Sequence, residues 1–343
     1  MKKNVSQFEL VISKITSHFW WNLPLDKNQK EKIKTFVFTH FRFIFNNTAF
    51  YRNWKSGRFL FDIKTDNQED NSINDFKFKL KKLYNCPPVH AEPINSFAIV
   101  IHVFYLEIFD EILSKIDSDV FCNLKFYVSS PETFSEVIQQ RLNLLSINYE
   151  YYAIENRGRD ILPFLKVMPK VIEDGFQIIL KIHTKKSKQL KNGNTWRKDV
   201  YQKLLQKNAM TSILNMFNSN PEIGIVGPEG HIVPINLYYG SNSARLKATC
   251  QAFKTPIKQL SDMNFVAGSM FYARVQALIP LLNLGLQSDD FEPELGQLDG
   301  TMAHSIERAF AISAYTAGLK LVDTAYCQNV KKVFITKNHK FAR

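Results

Sequence analysis

The chain has 343 residues, of which 45% are hydrophobic and 22% charged, and it carries a formal net charge of +12. This composition excludes a chain disordered throughout, and the length suffices for one large α/β domain with a helical extension. Four scattered cysteines without a CxxC pair argue against a zinc site and a disulfide framework. Since no long apolar run or leader-like N-terminus is present, we expect a cytoplasmic protein without a transmembrane helix or signal peptide.

The first 90 residues differ from the remainder of the sequence. Residues 1–62 are aromatic and show helical spacing of apolar residues, whereas residues 64–75 are polar and rich in helix breakers. We therefore predict a helical N-terminal region over 1–90, with a linker at 64–75. This region either packs on the following domain as a helical bundle or contacts a membrane or a partner.

Residues 91–343 show alternating strand and helix patterns. The predicted strands are 97–104, 125–128, 149–154, 176–182, 223–228 and 265–274, and the predicted helices between the first four are 106–116, 132–145 and 160–173. Alternation of this kind produces βαβ units and a mainly parallel sheet with helices on both faces. The sequence therefore predicts a Rossmann-type layered α/β domain, in which ligands bind at the carboxyl ends of the strands.

The segment 156–160 follows the third predicted strand and combines a glycine with two arginines. Gly158 permits a tight turn, and the next helix offers free backbone N–H groups to an anion. Arg157 and Arg159 can bind phosphate or carboxylate. A helix start capped by Asn156 or Asp160, with arginines in solvent, explains the same residues.

The segment 181–203 follows the fourth strand and carries eight Lys or Arg against one acid, Asp199. Such local positive charge at the ligand-binding edge favours a diphosphate, because lysine is an effective partner for phosphate. A solvated basic loop is the plain alternative. A nucleic-acid surface is disfavoured because Trp196 is the one aromatic residue that accompanies the lysines before Tyr201, and no DNA- or RNA-binding motif surrounds it.

Two later segments also carry candidate residues. Gly268 interrupts the predicted strand 265–274, which indicates either close approach of another group to the backbone or a bulge. In a predicted helix after Asp299, His304 and Glu307 share one face, and Arg308 follows His304 by one turn. A histidine with charged neighbours suits a general base or a substrate clamp. The spacing is not the HExxH of zinc proteases, so no metal is predicted there.

Seven motifs together resemble the rhamnan synthesis protein F family of bacterial polysaccharide glycosyltransferases over about residues 95–320. They are 101–105 (IHVFY), 156–160 (NRGRD), 181–187 (KIHTKKS), 196–197 (WR), 223–228 (IGIVGP), 265–271 (FVAGSMF) and 304–308 (HSIER). The resemblance implies assembly of a cell-surface polysaccharide such as an O antigen, capsule or rhamnan. It implies a nucleotide-sugar donor, dTDP-rhamnose or a similar hexose, and a lipid-linked or oligosaccharide acceptor.

A more distant comparison with GT-A glycosyltransferases suggests a mechanism. In that fold an Asn-x-Gly segment, a helix and a strand are followed by an Asp-x-Asp pair that holds a divalent metal. Here the corresponding strand end reads His183-Thr184-Lys185, without carboxylates. The comparison therefore implies a GT-A-like domain without a metal cofactor, in which lysines and arginines neutralise the donor diphosphate.

These comparisons complete the set of candidate site residues. The candidate catalytic groups are Asp299 and Glu307, with His304 as third choice. The candidate donor-binding residues are His102, Tyr105, Asn156, Arg157, Arg159, Asp160, His183, Lys185, Lys186, Arg197, Gly268, Ser269 and Arg308.

Two further interpretations stay open from the sequence. The chain could be a non-catalytic scaffold of a polysaccharide assembly complex that uses its aromatic N-terminal helices. Its N-terminal region and basic tail (Lys331, Lys332, Lys337, Lys340 and Arg343) also predict peripheral contact with the anionic inner membrane.

Overall fold

A computed structural model describes residues 23–45, 51, 54–55, 78, 81, 84, 93–116, 124–186, 193–328, 333, 335–336 and 339. Several predicted features lie outside these residues. They are the helical pattern over 1–22, the linker at 64–75, Lys188 and Lys191 of the basic segment, and the basic tail residues.

Nine strands are present in the described residues, and seven of them form one sheet. The strands are β1 Ala98–His102, β2 Lys125–Ser130, β3 Tyr149–Ala153, β4 Ile178–His183, β5 Ile223–Gly227, β6 Ile232–Pro234, β7 Asn264–Val266, β8 Phe271–Arg274 and β9 Lys320–Asp323. The sheet order is β3-β2-β1-β4-β8-β5-β9, while β6 and β7 form a separate antiparallel pair. Within the seven-stranded sheet, only β8 runs antiparallel to its neighbours. The predicted mainly parallel sheet is therefore confirmed.

Eleven α-helices in the described residues surround these strands. They are α1 Lys27–His40, α2 Arg42–Phe45, α3 Leu106–Leu113, α4 Ser135–Leu144, α5 Ile161–Glu173, α6 Gly193–Leu205, α7 Lys207–Ser219, α8 Ile235–Tyr238, α9 Ser243–Ala252, α10 Val275–Leu282 and α11 Met302–Thr316. Short 3₁₀ turns cover Glu132–Phe134, Ile257–Ser261, Ser288–Asp290 and Thr324–Gln328.

Helices cover both faces of the sheet, which explains the continuous apolar run of β1. Ala98 and Val100 belong to a core shared with α5, α10 and α11, whereas Ile99 and Ile101 belong to a core shared with α3, α6 and α7. Alternate residues of a strand point to opposite faces, so both sets must be apolar. The Rossmann-type layered fold is therefore confirmed.

The prediction of one strand over 265–274 is wrong. The segment forms β7 and β8, which pair with different partners, β6 on one side and β4 and β5 on the other. Between them Gly268 and Ser269 adopt positive φ angles of 89° and 57°. Two successive left-handed residues cannot continue a strand, so the chain turns here.

The described part of the N-terminal region is helical where predicted. Asp26 and Gln29 form a capping box at the start of α1, and Phe38, Tyr51 and Trp54 pack into a small aromatic cluster. The backbone N–H of Lys81 donates to the Asn283 carbonyl at 2.8 Å, so residues before 91 contact the α/β domain. The boundary between 90 and 91 stays a prediction.

Candidate functional site

The floor of the candidate site is the carboxyl edge of β1 and β4, where His102 and His183 are partners in register. His102 Nδ1 lies 3.1 Å from Ser129 Oγ, and the Thr184 hydroxyl accepts the N–H groups of Phe104 and Tyr105 at 2.7 and 3.0 Å. Burial lowers the pKa of His102 to about 4 and that of His183 to about 3. Both imidazoles are therefore neutral near pH 7.

Lys181 is a buried cation beneath this edge, with 1% of its surface exposed. Its ammonium donates to Asp160 Oδ2 at 2.5 Å and to the Ser269 carbonyl at 2.9 Å. Burial lowers the pKa of Lys181, with Asp160 opposing the shift. For Asp160, burial is outweighed by His183, Lys181 and Lys185, which hold its pKa well below the usual range. Lys181 thus joins the 156–160 segment to the turn before β8.

Lys181 belongs to the basic segment noted in the sequence but not to the predicted site residues. The sequence around Lys181 nevertheless indicates a special role for it. β4 reads Ile-Ile-Leu-Lys-Ile-His and is buried along its whole length. A lone lysine within such a strand needs an acidic partner.

The 156–160 segment forms a strained turn that holds a neighbouring loop. Gly158 and Arg159 have φ angles of 65° and 56°, and a Cβ at Gly158 would lie 2.6 Å from Leu162 Cβ. Arg157 Nε donates to the Phe291 carbonyl at 2.8 Å. Arg159 donates from its backbone to Glu294 at 3.1 Å and from its side chain to the Gln297 carbonyl. Both guanidinium groups therefore bind the loop between α10 and α11, while Asn156 is exposed.

The predicted cations after β4 have different partners. Lys186 pairs with Glu107 and lies 4.7 Å from the centre of the Tyr105 ring. Buried Arg197 donates twice to Glu111 Oε2, at 3.2 and 3.0 Å. Lys185 has no salt-bridge partner among the described residues, and its ammonium lies 5.0 Å from the centre of the Trp196 ring.

Lys185 is central to the electrostatics of the site. Its charge acts on Asp160, His183 and His304. The first two residues lie at the edge of β4 and the third on α11. Lys185 therefore acts on the edge of β4 and also on His304, which is more than 100 positions away in the sequence.

The turn before β8 closes the site from another side. The Gly268 N–H donates to Glu307 Oε1 at 2.7 Å, and a Cβ at position 268 would collide with the Trp196 ring. The predicted close approach at Gly268 is thus confirmed, and the approaching group is an indole. The Ser269 hydroxyl is buried, and its oxygen has no hydrogen-bond partner among the residues described.

The start of α11 carries the candidate acid–base groups. His304 Nδ1 lies 2.8 Å from the Thr301 hydroxyl, and burial followed by the charge of Arg159 lowers its pKa to about 4. Arg308 is buried and donates to the carbonyls of Tyr238 at 2.8 Å and His304 at 2.5 Å. Arg308 therefore joins α8 to α11 through its guanidinium.

The two candidate carboxylates are held differently. Both oxygens of Asp299 accept short bonds, from Ser241 N–H at 2.7 Å and Asn242 Nδ2 at 2.9 Å. Burial would raise the pKa of Asp299, but Arg308 and these hydrogen bonds outweigh it and lower the pKa. Glu307 Oε1 accepts from Gly268, whereas the one hydrogen-bond contact of Oε2 within the described residues is at 3.4 Å from Arg308 Nη1. Asp299 is thus the more fully bonded carboxylate.

Comparison with known proteins places the chain in a family. The profile described as "Rhamnan synthesis protein F" matches residues 59–319. The chain belongs to the rhamnan synthesis protein F family. The resemblance carried by the seven motifs is therefore confirmed, and the match begins upstream of residue 95. Family membership assigns the chain a role in polysaccharide biosynthesis.

Two curated relatives come from strains of Xanthomonas campestris pv. campestris, one of them B100, and both are named "Uncharacterized protein WxcX". Each is 33% identical over 264 residues, which is 76% of this chain and 37% of the relative. The chain therefore spans little more than a third of these relatives. No solved structure gave a significant match. None of the helices in the described residues has the length and apolar character needed to cross a bilayer.

Proposed function

We propose that this member of the rhamnan synthesis protein F family is a GT-A-like glycosyltransferase domain. It moves a hexose, rhamnose being one option, from a nucleotide-diphosphate sugar to a growing cell-surface polysaccharide. The observation that carries the proposal is Lys185, a cation without a salt-bridge partner among the described residues, at the carboxyl edge of the sheet. Ligands of open α/β sheets bind at this edge.

In the proposed reaction, the acceptor hydroxyl oxygen attacks the anomeric carbon of the donor sugar. The bond from that carbon to the diphosphate oxygen breaks, and the nucleoside diphosphate leaves with the electron pair. In the sequence comparison with GT-A enzymes, Lys185 corresponds to the metal-binding carboxylates, and we assign its ammonium the role of neutralising the charge that develops on the leaving group. No divalent metal takes part in this mechanism.

The acceptor proton passes to a carboxylate, and Glu307 is the better candidate. A general base needs an accessible lone pair in reach of the proton. Glu307 Oε2 has only the long contact with Arg308, and its side chain is 20% exposed. Asp299 has both oxygens bonded to the loop before α9, so we assign it the role of positioning that loop. His304 is then an acceptor clamp and not the base.

The remaining donor-site residues divide by what they contact. Arg157, Arg159, Arg197 and Arg308 position loops and helices through their hydrogen bonds. His102, His183 and Asp160 form the floor beside Lys185. The Ser269 hydroxyl, Asn156 and the Tyr105 ring are assigned to donor contacts.

The proposal includes peripheral contact with the anionic inner membrane, where a lipid-linked acceptor would lie. Phe36 on α1 and Ile44 on α2 are both 57% exposed, which supports an apolar contact surface in this region. Flotation with anionic and neutral liposomes tests this part, and absence of binding to anionic vesicles at low salt would remove it.

The enzyme proposal is tested by transfer and donor hydrolysis against a panel of nucleotide sugars, with and without EDTA. Lys185→Ala is compared with Lys186→Ala, because Lys186 has Glu107 as its partner. We expect EDTA-resistant turnover of one donor that is lost in the first variant and largely kept in the second. Turnover abolished by EDTA would overturn the metal-independent mechanism. No turnover with any donor and a supplied acceptor would favour a scaffold.

A further inference from the structure

The motif at 196–197 contains Trp196, which has no role in the proposed reaction. Trp196 lies in the first turn of α6, and 3% of its surface is exposed. A buried indole usually serves as core packing, and Trp196 does belong to the core that α6 shares with β1. Three of its neighbours, however, connect it to the candidate site.

The first neighbour is Lys185, whose ammonium lies over the indole at 5.0 Å from the ring centre. A cation within about 6 Å of a ring centre is attracted to the ring, and tryptophan attracts it most strongly of the aromatic residues. Lys185 has no salt bridge among the described residues, so the indole is the described contact that restrains its ammonium. This contact limits the movement of the lysine side chain before a ligand binds.

The second neighbour is Gly268, in the turn between β7 and β8. A Cβ at Gly268 would collide with Cζ2 of the indole and lie 2.9 Å from Cη2. The six-membered part of the indole therefore packs directly on the backbone of this turn. Any displacement of the indole changes the space that the turn occupies.

The same turn holds the proposed general base. The Gly268 N–H donates to Glu307 Oε1 at 2.7 Å, and the Ser269 carbonyl accepts from Lys181 at 2.9 Å. The position of the turn is therefore set by the indole and these two hydrogen bonds together. A shift of the turn would move the carboxylate to which we assign the acceptor proton.

The third neighbour keeps the indole in place. The His231 ring packs edge-on against it, with 6.1 Å between ring centres and 77° between ring planes. This edge-to-face arrangement is favourable for aromatic pairs. His231 is itself buried, and its Nε2 lies 2.6 Å from Asp199 Oδ2. The indole therefore has a fixed position with respect to both Lys185 and Gly268.

We propose that Trp196 is a positioning residue that joins the two halves of the site, setting Lys185 for the donor diphosphate and the Gly268 turn for Glu307. The indole attracts the ammonium, while its atoms Cζ2 and Cη2 pack on the turn. Trp196 acts through these two residues and needs no contact with either substrate. The inference rests on the proposed function, because it requires the diphosphate at Lys185 and the acceptor proton at Glu307.

Two substitutions separate these contacts. Trp196→Leu removes the aromatic ring, and with it both the attraction on Lys185 and the packing on Gly268. Trp196→Phe keeps an aromatic ring but lacks Cζ2 and Cη2. Trp54→Phe is the matched control, because Trp54 is buried in the small aromatic cluster of the N-terminal region. Thermal melts of the full chain establish that each variant is folded.

Isothermal titration calorimetry with dTDP and UDP measures affinity, and kcat is measured with the donor that is turned over. We expect Trp196→Leu to bind nucleotide about 2- to 30-fold more weakly, and Trp196→Phe to stay within about threefold of wild type. In both variants kcat should fall by about 10–10², because a displacement of about 1 Å can cost this much. Trp54→Phe should match wild type. A merely structural role would lower the melting temperature without separating affinity from kcat in Trp196→Phe.

A double-variant cycle with Lys185→Ala, titrated to high nucleotide concentration, tests whether the indole acts through the lysine. In that background, Trp196→Leu should weaken binding no further. A further loss equal to that in wild type would overturn the link to Lys185, and unchanged kcat in both Trp196 variants would overturn the link to Glu307. Both outcomes leave the donor site intact, since wild type still binds nucleotide. No binding of dTDP or UDP to wild type would overturn the donor site and this inference together.

Discussion

The two ends of the seven-stranded sheet differ in how their lysine side chains are paired. At the amino ends, Lys125 pairs with Glu150 at 2.5 Å and with Asp174 at 2.6 Å, and Lys170 pairs with Asp174 at 2.8 Å. At the carboxyl ends, Lys185 contacts an aromatic ring and has no salt-bridge partner among the described residues. Cations that satisfy neighbouring acids stabilise a fold, whereas a cation held without one is available to an anionic ligand. Lys125 and Lys170 therefore stabilise the fold, whereas Lys185 is the lysine that we propose binds an anionic ligand.

This difference between the two ends predicts that substitution of Lys185 has the largest effect on activity. In Lys185→Ala we expect turnover of the donor to fall by about 10²–10³, as for loss of one preorganised group at a developing charge. Stability should stay within about 0.5 kcal/mol, since no described salt bridge is lost. Steady-state kinetics and urea unfolding measure the two quantities.

Lys125→Ala is the counterpart at the amino end. It should lower the free energy of unfolding by about 1 kcal/mol, because its partners are partly exposed, and leave turnover within about twofold. If Lys125→Ala reduced turnover as much as Lys185→Ala, the distinction between the two ends would fail.

The candidate carboxylates give the second contrast. Glu307→Gln should lower kcat by about 10²–10⁴, which is the usual contribution of a general base. Asp299→Asn should chiefly lower stability, because it weakens the bonds to Ser241 and Asn242. Steady-state kinetics and urea unfolding of both variants check the assignment, and a loss of kcat in Asp299→Asn as large as that in Glu307→Gln would contradict it.

Substitution of Lys181 tests the ion pair that it forms with Asp160 beneath the carboxyl end of the sheet. Lys181→Met leaves Asp160 as a buried charge without its ammonium partner, which typically costs about 3–5 kcal/mol. Guanidinium unfolding measures this cost. The double variant Lys181→Met with Asp160→Asn should recover part of the loss, and no recovery would show that the ion pair is not its cause.

A further expected effect concerns the pH dependence of folding stability. His102 has a pKa of about 4 in the folded protein and about 6.5 when unfolded, so the unfolded chain binds more protons between these values. The contribution of His102 to the free energy of unfolding should therefore be fully present above about pH 6.5 and decrease as pH falls toward about 4. Urea midpoints across this range measure it. His102→Gln should make this dependence less steep.

Much of the fold was readable from the sequence because its signals are local. The continuous apolar run of β1 and the alternation of strands with helices through β4 predicted a layered, mainly parallel sheet, and the structure has one. The strand predicted over 265–274 failed because its apolar pattern continues across the turn. Only the positive φ angles at Gly268 and Ser269 separate β7 from β8, and a single glycine suited a bulge equally well.

For the site, the sequence by itself determined which strand ends carry polar residues. It also showed that lysines and not carboxylates follow β4, and it indicated the family. The tertiary structure alone decided the partners. It joined Arg197 to Glu111, Lys181 to Asp160, and His339 through His231 to Asp199. The paired residues are 21 to 108 positions apart along the chain. Residue type shows what a side chain can bind, but contacts over such separations depend on how the strands and helices are arranged in space. In that arrangement Lys185 has no salt bridge among the described residues, and no local pattern in the sequence distinguishes it from Lys186.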